Sequence, residues 1–374
     1  VNLLGRFKQS AILETYALNF AQILHMAILA GYVPWHIGVE AYGRFAALFA
    51  LPGLVQSSFE VVCVAILSEH RRRDMLQSAI LFFVLPLYGA LVMGFLILLD
   101  LSLALPAAIM AALLLARSYA FSIAIVSATL TKKILQSEAM TFVVYAVVAV
   151  YCAIYDVRSE FMPIAMVSLA SLATAMFLIH ASRAPEVVLP GNDDGSRPRI
   201  PVATLARAAS LRFFEDGYLT LSPLVLASLL SPATAGQFRI FVSVAKAAYK
   251  FFPFRYEVIL RELNRGALRF LPLAVSCVIF LTLGLLGAAA VHASGGPRDV
   301  LMLFSSAGAV AASLAIFPAA SLVDGRVLPL AVAGLLAMFG AAYVFGSMGF
   351  VIVFSLANAT LLIAALVAIG RAGR

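Results

Sequence analysis

Apolar runs of about twenty residues, broken by charge, glycine or proline, follow one another along most of the chain. A bilayer core about 30 Å thick is crossed by about 20 apolar residues in a helix. The pattern predicts twelve such helices, over residues 9–32, 42–67, 77–99, 102–126, 139–156, 160–182, 203–230, 236–260, 269–291, 299–322, 327–345 and 348–370. The expected fold is all-α, a polytopic membrane protein of twelve transmembrane helices. The first run follows Arg6 and Lys8, as the core of a signal peptide would. It is too long for one, contains Glu14 and His25, and precedes no small-residue cleavage site, so it reads as a retained helix.

Composition narrows the classes of function. Of 374 residues, 63% are hydrophobic and 12% charged, which leaves polar sequence for short loops only. A large catalytic domain on either side of the membrane is excluded. The net charge of +8 would suggest a nucleic-acid partner in a soluble protein. Here alternate loops carry the excess: Arg6/Lys8, Arg71–Arg73, Lys132/Lys133, Arg183, Arg197, Arg199 and Arg207, Arg261, Arg265 and Arg269, Arg326, and Arg371/Arg374. The opposite loops hold only Arg158 and Arg298, a bias of seventeen to two. That bias places both termini in the cytoplasm and assigns no nucleic-acid partner. Cys63, Cys152 and Cys277 are scattered in apolar stretches, so they read as small buried side chains.

The longest polar stretch lies at the midpoint and is rich in Pro, Gly and Asp. It divides the chain into an N-terminal six-helix bundle (1–182), a cytoplasmic linker (183–202) and a C-terminal six-helix bundle (203–374). Asp193 and Asp194 within it belong to a turn, and no metal site is expected. The halves carry a faint parallel repeat. Ala41-Tyr42-Gly43-Arg44-Phe45 corresponds to Thr234-Ala235-Gly236-Gln237-Phe238, and Phe59, Leu67 and Glu69 to Phe252, Leu260 and Glu262. Both copies enter from the same side, which puts the pseudo-axis along the membrane normal.

An ionisable residue at the middle of a spanning helix costs about 2.5–3.5 kcal/mol. Twelve fall within the predicted spans: Glu14, Arg44, Glu60, Arg117, Arg212, Glu215, Asp216, Arg239, Lys246, Lys250, Arg255 and Glu257. In the eighth span Arg239, Lys246, Lys250 and Glu257 share an arc of roughly 40°. A cationic stripe through the midplane points to a water-filled cavity that attracts an anion, with Arg212 and Arg117 as further candidate lining residues. Arg117 is open to snorkelling as well, and Arg212 to pairing with Asp216. Glu14, Glu60, Glu215 and Asp216 are read either as ligands of a coupling proton or sodium ion or as partners of nearby cations.

No GxxxxGK phosphate loop and no HExxH are present, and the five histidines are dispersed in what read as loop or interfacial positions. The expectation is a non-enzymatic transporter without a resident cofactor. Two six-helix bundles, a basic loop after the second helix, a polar midpoint linker and the stretch Gly38-Val-Glu-Ala-Tyr-Gly-Arg-Phe45 together resemble one family. They are similar to the Wzx-type polysaccharide and oligosaccharide-lipid flippases of the multidrug/oligosaccharidyl-lipid/polysaccharide exporter superfamily. The resemblance implies translocation of undecaprenyl-pyrophosphate-linked oligosaccharide across a bacterial inner membrane. It also implies glycosyltransferases and a polysaccharide polymerase as pathway partners, and a cation-lined cavity for which Arg239, Lys246 and Lys250 are the candidates. The chain lacks the two extra C-terminal helices of the lipid II flippase branch. Alternatives are a cation-coupled drug exporter of the same superfamily, a major-facilitator transporter, and a membrane polysaccharide polymerase. The short external loops disfavour the polymerase, and Ser-Glu-His-Arg-Arg-Arg-Asp in the second-to-third loop departs from the major-facilitator pattern.

Overall fold

The computed structural model describes residues 17–70, 101–126, 131–182, 218–252, 270–293, 305–324 and 327–372, with a few isolated positions between them. No strand occurs among the described residues. The helices are α1 (Ala17–Ile37), α2 (Val39–His70), α3 (Leu101–Val126), α4 (Thr131–Ile154) and α5 (Phe161–Ser182) in the first half. The second half holds α6 (Tyr218–Leu229), α7 (Pro232–Lys250), α8 (Phe270–Ala293), α9 (Ala307–Val323) and α10 (Val327–Ala372). The fold is all-α, and six of these helices are long and apolar enough to cross a membrane. The expected span 77–99 lies almost wholly outside the described residues, as do Glu14, Arg212, Glu215, Asp216, Arg255 and Glu257.

Local chemistry explains where the helices bend and begin. Pro34 has no N–H to offer the carbonyl of Ala30, and α1 widens there into a π-helical turn, Ile28–Tyr32. Helix α7 starts at Ser231, whose side chain accepts the Thr234 N–H at 3.2 Å, with Pro232 at the first helical position. α10 holds the last two expected spans, divided at Gly346. At φ 69° and ψ −156° this residue occupies a conformation that only glycine adopts without strain.

Two expected boundaries need correction. α4 begins at Thr131, not at 139, because Lys132, Lys133 and Glu138 in its first two turns mask the start of the helix in the hydropathy pattern. α7 ends at Lys250, where Phe251 caps it, ten residues before the expected end at 260. Over 19 residues it is about 28 Å long.

The chain forms two compact units, Val1–Phe213 and Phe214–Arg374. In the first, α3 packs along α2 and α5, and α4 packs on α5. In the second, α9 packs on α7, α8 and α10. α2 and α7 start at Val39 and Pro232, 193 positions apart. Matching positions are buried in both copies: Phe45 and Phe238, Phe59 and Phe252. The exposed apolar residues, among them Val147, Ile154, Leu283, Leu336 and Ile363, are the surface that lipid would cover.

Candidate functional site

The N-terminal unit buries a charged cluster. Glu138, in the second turn of α4, is 3% exposed, a burial an ionised carboxylate tolerates only with partners. Arg117 of α3 donates from Nη2 to Glu138 Oε1 at 3.3 Å. His25 of α1 brings Nδ1 to 3.4 Å from Glu138 Oε2, so each carboxylate oxygen faces a different helix. Tyr145, two turns along α4 from Glu138, meets the His25 ring edge-on at 5.8 Å. Neutral hydroxyls continue the polar seam: Thr141 donates to the Ser137 carbonyl and lies 3.2 Å from Thr174 of α5. The guanidinium also sits 5.9 Å from the Phe121 ring, one turn along α3.

Hydropathy alone misses this cluster. Glu138 lies one residue outside the span expected to start at 139. His25 reads from sequence as a loop or interfacial histidine, whereas it lies inside α1 with a side chain only 16% exposed. Arg117, read from sequence as lining a cavity or snorkelling, pairs with Glu138. Counting polar residues in the first turns of α4 as helical would expose the cluster, since Glu138 and Tyr145 share a face at i and i+7. Glu60 is half-buried on α2, and its backbone carbonyl accepts from Ser122 of α3 at 3.4 Å.

In the C-terminal unit, Glu257 of the expected stripe lies outside the described residues. Arg239, Lys246 and Lys250 are half-buried on one side of α7. The buried face of the helix, Phe238, Phe241, Val242 and Ala245, points roughly 100° away from them. Aromatic packing fixes that rotation. Phe238 meets Phe354 and Phe350 of α10 edge-on at 5.3 and 5.4 Å, and Phe241 meets Phe354 at 5.7 Å. Because α7 stops at Lys250, Lys246 and Lys250 occupy its last two turns, not the middle of a longer helix. Lys250 Nζ lies 5.8 Å from the Tyr249 ring.

A third group of charges joins the α1–α2 and α4–α5 connections. Arg44 bridges Glu40 at 2.8 Å and Glu160 at 3.6 Å, and His36 Nε2 donates to the Val157 carbonyl at 3.2 Å. These contacts account for Arg44 without a ligand. The three cysteines are buried and unbridged. Among the described residues no three His, Cys, Asp or Glu side chains gather as a metal site would require.

No family of known sequences and no curated protein sequence matches the chain. Solved structures do match it over nearly its whole length. The lipid II flippase MurJ in an inward closed conformation has a TM-score of 0.66 at 11% identity, over 96% of this chain and 87% of that one. The chain shares the fold of flippases and exporters. A point mutant of the Vibrio cholerae MATE transporter VcmN gives 0.58 at 13% identity over 96% and 95%. An inward-facing multidrug resistance MATE transporter of the MOP superfamily gives 0.54 at 13% identity over 95% and 93%. At such identities the likeness concerns the fold, and the cargo has to be argued from side chains.

Proposed function

We propose that this protein is a flippase that carries undecaprenyl-pyrophosphate-linked oligosaccharide across a bacterial inner membrane for surface polysaccharide synthesis. A fold shared with flippases and exporters supports transport as the activity. The cationic flank of α7 carries the choice of cargo: Arg239, Lys246 and Lys250 stand half-buried on one side of this 19-residue helix. A pyrophosphate enters an apolar bundle only where cations replace its hydration, and ammonium and guanidinium groups do so as charge-assisted donors. With cytoplasmic termini, Lys246 and Lys250 lie toward the inner leaflet, where a lipid-linked substrate would load. The glycan would travel in a wet cavity while the polyprenyl tail stays in lipid, and rocking of the bundles would alternate access. Glycosyltransferases and a polymerase would then act before and after it.

Replacing both Lys246 and Lys250 by Ala tests the site in cells. The expected result is loss of glycan export with the protein still at normal levels in the membrane. Undiminished export would remove these residues from the account. A cation-coupled small-molecule exporter is the second reading, and the buried carboxylate of Glu138 is the observation that favours it. Such a pump would retain its activity in the double lysine variant and would expel cationic dyes.

A further inference from the structure

The C-terminal unit holds a cavity that the cationic flank does not reach. It measures about 280 Å³ and lies between α6, the first turns of α7 and the part of α10 just past Gly346. Leu226, Phe238 and Phe350, all buried, give it apolar walls, and the two rings lock edge-on at 5.4 Å. Thr234, Gln237 and Ser347 add two hydroxyls and a carboxamide. Local structure sets each of these polar groups. Ser231 caps α7 and holds Thr234, whose Oγ1 lies 2.9 Å from the Ser231 Oγ. Gln237 follows three positions on, along the same side of the helix. Gly346, at φ 69°, makes the turn that brings Ser347 to the cavity. At about 100° per residue, Gln237 stands about 160° round α7 from Arg239. Among the described residues that line the cavity, none is charged. The repeat places Arg44 at the position of Gln237, and Arg44 bridges Glu40 and Glu160. The first copy thus holds ion pairs where the second presents an uncharged amide to a cavity.

We propose that this cavity takes one neutral sugar ring of the cargo's glycan. The proposal rests on the flippase reading for the presence of a glycan. A pyranose has C–H faces that pack on apolar side chains and edge hydroxyls that both donate and accept hydrogen bonds. A carboxamide supplies a donor and an acceptor, and so does each hydroxyl. An acyl or polyprenyl chain would offer these three groups no hydrogen bond. A phosphate or an acidic sugar would meet no counter-charge in the described wall. Pockets for drug-sized ligands run to about 300–1,000 Å³, so 280 Å³ suits one ring, with the rest of the glycan outside. With cytoplasmic termini, the start of α7 faces the external side, at the opposite end from Lys246 and Lys250. The order of events is then loading of the headgroup at the lysines and capture of a sugar here on exit.

The experiment uses the full chain in nanodiscs with Ser347→Cys as a reporter at the cavity. The three native cysteines are buried, and the unsubstituted chain gives their background. The readout is the rate at which a maleimide modifies the new thiol. The probes are the methyl glycosides of glucose, galactose and N-acetylglucosamine, with methyl glucuronoside as a charged ring and decanol as a bare chain. At least one neutral glycoside should slow labelling on the order of tenfold at saturation, while the glucuronoside and decanol leave it unchanged. Gln237→Leu, which keeps the bulk and removes the amide, should abolish the protection. So should Gln237→Arg, which installs the first copy's residue, with thermal unfolding showing that both variants fold. Labelling that none of the neutral glycosides slows, or that decanol slows instead, overturns the sugar site. Protection that survives both Gln237 substitutions overturns it as well, by placing the sugar elsewhere. Translocation of lipid-linked oligosaccharide is measured separately. Transport without protection overturns the cavity and leaves the flippase reading standing, whereas protection without transport supports the cavity and removes that reading.

Discussion

Glu138 is the buried charge on which the N-terminal cluster turns. It is buried at 3% exposure between Arg117 and His25, and removing it strands a guanidinium inside the bundle. Glu138→Ala should lower stability by about 3–5 kcal/mol, the usual cost of breaking a buried pair from one side. Glu138→Gln keeps a hydrogen-bond acceptor for Arg117 and should cost less. Thermal unfolding of the two variants in detergent checks the order, and equal midpoints would contradict it. Residue by residue, the sequence exposes Arg239, Lys246, Lys250 and Arg117, because charge is rare in so apolar a chain. It hides Glu138 because hydropathy alone draws the helix boundary one residue past it. It hides the role of His25 because a partner 113 positions away leaves no mark on local pattern.

Among the elements, close packing constrains α7 and the α8–α9 contact. α7 takes its rotation from Phe238 and Phe241 against Phe350 and Phe354, so the cationic flank is aimed by aromatic packing on the neighbouring face. Apolar side chains gain little from leaving lipid, so packing itself holds these helices together. Phe354→Ala should therefore lower the unfolding temperature and also weaken cargo binding, although it touches no charge. A variant with lower stability and unchanged binding would separate the two roles. Where α8 crosses α9, a Cβ at Gly308 would collide with the Phe280 carbonyl, and one at Gly284 would come within 2.9 Å of the Gly308 nitrogen. Gly308→Ala has backbone in its way, so it should force the helices apart and cost about 1–3 kcal/mol in unfolding measurements. The order of the described helices is legible in sequence because hydrophobic length is set by the bilayer. The early start of α4 and the end of α7 at Lys250 are not, because polar residues in a first turn and apolar residues beyond a last one both blur that length.

At the scale of the molecule, α2 and α7 begin 193 positions apart in the two compact units, with Phe45 and Phe238, and Phe59 and Phe252, buried at matching positions. The units have diverged in chemistry: the first holds a paired acid and a histidine, the second a row of cations along α7. The most direct test is translocation by the purified protein in proteoliposomes, with undecaprenyl-pyrophosphate-linked oligosaccharide in one set and a cationic dye in another. Movement of the lipid-linked oligosaccharide is expected, lost in the Lys246→Ala/Lys250→Ala protein, with no movement of the dye. Dye transport that survives the double substitution, with no movement of the lipid-linked glycan, would contradict it.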